Sequence, residues 1–121
     1  MEQHIRANAE LVRTVAREQL GVEVEYDRSG VRWLDGYIDG QRREADDDLK
    51  RRLLSTLGSF LGECVRHVYG GGWVQDDEHG WCVRIDERVT VFPFNKVQKQ
   101  LASEDGESVL AMFDSLASLL R

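Results

Sequence analysis

Residues 73–92 read WVQDDEHGWCVRIDERVTVF and hold the chain's only sustained period-two alternation. Successive side chains point to opposite faces of a strand, so apolar residues at every second position mark a half-buried sheet. The expectation is three short strands, Trp73–Asp76, Trp81–Ile85 and Val89–Phe92, joined through 77–80 and 86–88. A three-residue second turn pairs Ile85 with Val89 and Val83 with Val91, and with Trp81 these share one apolar face. A two-residue turn would pair Val83 with Thr90 and break that face. Cys82, Arg84, Thr90 and Phe92 then point the other way.

Upstream of this unit, Leu49, Leu53, Leu57, Leu61, Cys64 and Val68 lay one stripe along a helix over 46–69. Asp46, Asp47 and Asp48 suit its N-terminus, where the helix dipole favours negative charge. Gly58 and Gly62 lie one turn apart inside it, and each costs about 1 kcal/mol relative to alanine. That cost predicts another backbone passing close to this face. Gly70, Gly71 and Gly72 run from helix to strand, the reverse of a phosphate-cradling loop, and read as a C-cap with chain reversal.

Further out, Ile5, Ala9, Val12, Ala16 and Leu20, with Leu11 and Val15 alongside, predict a helix over 2–20 that stops at Gly21. Val22, Val24 and Tyr26 alternate with acids and are read as an extended connector. Asp27 or Ser29 caps a helix near 29–43, on which Val31, Leu34 and Ile38 share a face and Trp33 and Tyr37 stack beside it. Pro93 opens a short helix carrying Phe94, Val97 and Leu101, and a last helix covers 107–120. The fold class expected is α+β: a three-stranded antiparallel meander at about 73–92 packed with about five helices, in a single domain over 1–121.

With 121 residues, 41% apolar and 31% charged, the chain has material for a core without disulfides. Its net charge is −6 and its basic residues are interleaved with acids. Affinity for nucleic acid comes from clustered cations that neutralise phosphates, so nucleic acid is disfavoured as a partner. No apolar run approaches the length of a membrane span. Met1–His4 shows no basic region ahead of an apolar stretch, and two cysteines are too few for a disulfide scaffold. The expectation is a cytoplasmic protein with reduced thiols.

Cys64 and His67, with His79 and Cys82, have the mirrored spacing of a four-ligand zinc site. Against zinc, Cys64 falls on an apolar stripe, His79 in an acidic turn and Cys82 mid-strand. A nucleophilic Cys–His pair fails for the same reason, since a reactive thiolate needs an exposed, electropositive setting. No catalytic residue and no cofactor is assigned. Glu63 lies on an apolar helix face and needs a partner there, for which Arg84 and Lys96 are the candidates. Asn95 and Lys96 occupy the first turn opened by Pro93. Glu63, Tyr69, Trp73, Asn95 and Lys96 are therefore the candidate binding residues.

The stretches Trp33–Ile38, Leu57–Cys64, Tyr69–Trp73 and Phe92–Val97 together resemble a family of small bacterial proteins of unknown function, over about 26–116. The resemblance implies a stand-alone cytosolic bacterial protein and supplies no catalytic residue. It also implies that Gly58, Gly62, Glu63, Trp73 and Phe92–Val97 form one structural unit. The functional expectation is a non-catalytic protein-interaction module, an adaptor or an immunity-type inhibitor, with an unidentified protein partner. The alternatives are a small-ligand binder or an enzyme with a pocket near Glu63, Tyr69 and Lys96, and a metal-dependent regulator. The apolar residues on the second sheet face leave a homodimer open.

Overall fold

Apolar spacing and capping account for each helix. In the computed structural model, which describes residues 2–120, α1 (Glu2–Leu20) buries Ile5, Ala9, Val12 and Ala16 along one stripe. Leu20, expected on that stripe, is the last residue of the helix and is 51% exposed. The chain turns at Gly21 and crosses Val22–Tyr26 without strand pairing, as the connector reading expects. Val24 is buried there, and Arg13 Nε donates to its carbonyl at 2.8 Å.

Asp27 caps α2 (Arg28–Glu44), accepting from the Gly30 N–H at 3.1 Å. Asp46 does the same for α3 (Asp47–Tyr69), accepting from the Leu49 N–H at 2.8 Å. Both carboxylates satisfy amides that have no partner inside their helix.

Helix α3 is the axis of the fold. Every residue from Leu57 to Val65 is buried, and α1, α2, α4 (Pro93–Ala102) and α5 (Val109–Leu119) all pack against it. A single apolar stripe predicts one covered face. Here neighbours surround the middle of the helix instead, and Val68, expected in the stripe, is 46% exposed near its end.

The glycine pair inside α3 is explained by rings, not by a backbone. A β-carbon on Gly58 would collide with the Phe94 ring, and one on Gly62 with the Trp73 indole. The two rings lie 5.9 Å apart, side by side over the helix. Each bulky ring replaces a side chain that α3 does not have.

Gly70 closes α3 at φ 86°, and its N–H donates to the Arg66 carbonyl at 2.9 Å. The sheet follows as β1 (Gly72–Asp76), β2 (Gly80–Arg84) and β3 (Thr90–Val91), antiparallel in the order β1-β2-β3. Val83 pairs with Val91 and Trp73 with Val83, so the expected register holds. Asp86 Oδ1 accepts from the Arg88 and Val89 amides at 2.8 Å each, which builds the three-residue turn. β3 is shorter than expected because that turn holds Val89 and because Phe92 already opens α4. α5 starts at Val109, two residues later than the expected 107, behind Ser108, whose hydroxyl accepts from the Ala111 N–H at 3.1 Å. The described residues thus form an α+β fold of five helices and a three-stranded antiparallel sheet.

Candidate functional site

Glu63 is 5% exposed on α3 and finds its partners nearby. Its Oε2 accepts from the Trp73 indole N–H and from Arg66, each at 2.8 Å, and His67 Nε2 lies 3.8 Å from Oε1. Arg84 and Lys96, the expected partners, are elsewhere. Arg84 is exposed, and Lys96 Nζ bonds Glu107 at 2.9 Å. Sequence distance misleads here, because Arg66 stands one turn along the same helix and Trp73 returns over it after the glycine reversal. The carboxylate therefore joins α3 to β1. Gly58, Gly62, Glu63, Trp73 and Phe94 meet in this one cluster.

The remaining candidates are dispersed. Tyr69 donates its hydroxyl to the Phe113 carbonyl at 2.8 Å and stacks obliquely on that ring, which fastens α3 to α5. Asn95 and Lys96 line a cleft of about 390 Å³ between β3, α4 and α5. Neither Glu63 nor Tyr69 lines that cleft, so the expected common pocket with Lys96 is not formed by it.

The four proposed zinc ligands are held in separate surroundings. Cys64 is buried with Sγ 4.0 Å from the Glu25 carbonyl, and His67 packs on Tyr26 at 4.8 Å between rings. His79 packs edge-on against Phe92, while Cys82 Sγ lies 3.6 Å from the Val74 carbonyl. Among the described residues no group of three or more His, Cys, Asp and Glu side chains is placed to hold a metal ion. Burial pushes both thiols up from their ordinary range, which keeps them protonated and poorly nucleophilic.

A second buried polar cluster escaped the sequence reading. Gln100 on α4 is 6% exposed and donates to Asp35 Oδ1 and Asp39 Oδ1 on α2, each at 3.1 Å. Its Oε1 accepts from the Val109 N–H at 2.8 Å in the first turn of α5. One amide side chain thus ties three helices and caps one of them. The only signal was a glutamine beside the apolar stripe of Val97 and Leu101.

A mainly apolar groove of about 250 Å³ lies between α1, α2 and α3. Leu11, Val15 and Leu20 form one wall, Trp33 and Tyr37 another, and Leu53 and Leu57 the floor, with Arg52 at the rim. Leu11 is 49% exposed although it faces other apolar groups. Trp33 and Tyr37 stack at 5.1 Å and stay partly open to solvent. Elsewhere on α2, outside the groove lining, Gly36 and Gly40 have nothing within 4 Å of where a β-carbon would stand. Unlike Gly58 and Gly62, they receive no ring from their own chain.

Comparison with protein-family models, curated proteins and solved structures finds no match to this chain. Among the described residues no helix is long and apolar enough to cross a membrane.

Proposed function

We propose that the protein is a non-catalytic interaction module that receives an amphipathic helix of a partner protein in the groove between α1, α2 and α3. The observation that carries this reading is the coincidence of half-exposed Leu11 and Leu20 with the open Trp33–Tyr37 stack around one apolar trough. Isolated exposed apolar residues are ordinary on a protein surface, whereas a contiguous concave set favours a partner. Helices dock in such grooves through apolar anchors at successive turns. A volume of about 250 Å³ falls below the range usual for small-molecule pockets, which favours an extended partner over an enclosed ligand.

A cytoplasmic, bacterial setting follows from the family resemblance and belongs to this proposal. The immunity-type and adaptor roles both remain within it, since each requires only a partner seated on this surface.

The test compares capture from a bacterial lysate by tagged wild type, by Leu11→Asp with Tyr37→Ala, and by Val68→Asp on α3. Leu11 and Val68 are both exposed, so these acids leave the core intact. A protein that is recovered by wild type and Val68→Asp, and lost with the groove variant, supports the reading. Recovery undiminished by the groove substitutions, or no partner with wild type, removes it.

A further inference from the structure

The sheet has an open edge at β3, and the cleft beside it has more bases than acids in its lining. In the β2–β3 ladder the Ile85 N–H donates to the Val89 carbonyl at 3.0 Å, and Val83 stands opposite Val91. Backbone groups of successive residues in a strand point to opposite sides. Val89 and Val91 therefore turn theirs toward β2, and Thr90 between them turns its N–H and C=O outward, toward a missing fourth strand.

Thr90 also lines the cleft of about 390 Å³ bounded by β3, α4 and α5. The charged residues in its walls are Arg88, Lys96 and Lys99 against the single acid Glu107, in a chain whose net charge is −6. Arg88 and Lys99 are exposed and form no ion pair among the described residues. Lys96 alone is engaged, bonded to Glu107 at 2.9 Å. Beside the cations, Met112, Leu116 and the 58% exposed Leu119 give the α5 wall an apolar character.

We propose that this cleft takes an acidic segment of a partner protein in extended form, added as a fourth strand against β3. The outward Thr90 groups recognise peptide backbone, which a small anion or a helix does not offer them. Period-two alternation would set one row of side chains toward Met112 and Leu119 and leave acidic neighbours for Arg88 and Lys99. Charge complementarity selects an acidic segment, because a basic one meets two uncompensated cations. This surface is separate from the α1–α2–α3 groove, so the two readings stand or fall independently.

The test uses two fluorescein-labelled heptapeptides, one alternating glutamate and valine and one alternating lysine and valine, with anisotropy read at low and high salt. Wild type is expected to bind the glutamate peptide in preference, and more weakly at high salt. Thr90→Pro deletes the outward N–H and leaves the β2 ladder untouched, and its affinity should fall about tenfold. Thr90→Val keeps the N–H and should bind like wild type, with its melting curve as the folding control. Arg88→Glu with Lys99→Glu, two exposed positions, should lower affinity by about tenfold or more and bring binding of the lysine peptide.

Binding of the glutamate peptide that survives Thr90→Pro but not the charge reversal would mean an anion site, and the strand proposal fails. Absence of binding to wild type, or equal binding of both peptides, also overturns it. A wild-type dimer that Thr90→Pro turns into a monomer would make a second copy the occupant, and that too overturns it.

Discussion

Replacing Trp73 by Phe removes one indole N–H from a carboxylate that is only 5% exposed. A hydrogen bond to a charged group contributes about 1.5–3 kcal/mol, and losing the outer part of the indole over Gly62 adds roughly 1 kcal/mol of cavity and contact loss. Glu63 keeps its bond to Arg66, so it is not orphaned, and the total should lie at about 2.5–4 kcal/mol. Glu63→Ala leaves the indole N–H and Arg66 without their acceptor. Arg66 is 23% exposed and can reach water, which limits the cost to about 2–4 kcal/mol.

The informative quantity is the coupling between the two positions. If the bond is what joins α3 to β1, the double variant loses less than the sum of the single ones, by about 1–2 kcal/mol. Urea unfolding followed by far-ultraviolet circular dichroism measures it, since Trp73 is itself a fluorophore that the variant removes. With a slope of about 1–3 kcal/mol per molar, a loss of about 3 kcal/mol moves the midpoint by about 1–3 M. A coupling below about 0.5 kcal/mol would refute the reasoning, because independent sites add to within that margin.

Two further outcomes follow from the same packing. Alanine at Gly36 or Gly40 should raise stability by about 0.5–1 kcal/mol each, whereas at Gly58 or Gly62 it should cost about 1–3 kcal/mol through collision with Phe94 or Trp73. Thermal melts of the four variants check this, and a loss of stability at Gly36 or Gly40 would show that α2 is covered there. Asp27 is held below the usual carboxylate range by the Ser29 hydroxyl and then by the Gly30 amide. Its folded value is depressed, so its contribution is full above the ordinary aspartate range and is lost as pH falls through the lowered value. Asp27→Asn should keep the cap and flatten that part of the acid-unfolding profile, and an unchanged profile would exclude the linkage.

Local features were legible from residues alone. Helix periods, the Asp27 and Asp46 caps, the glycine reversal and the Val83–Val91 register all depend on neighbours within a few positions. The partners of Glu63 were not, because Trp73 reaches it only after the chain has reversed across α3. Gln100 was missed because its three partners lie on two other helices. Gly36 and Gly40 repeat the spacing of Gly58 and Gly62, but periodicity cannot say which pair its own chain fills.

The stretch 73–92 carries its strands, turns and pairing in its own alternation, since strand period and turn length are set by local sterics. What lies against each face was decided only in three dimensions. There α3 brings Gly62 and Glu63 beneath Trp73, and α4 and α5 leave the β3 edge open with Arg88 and Lys99 beside it. Those contacts depend on where distant helices pack, and packing is a property of the whole assembled core.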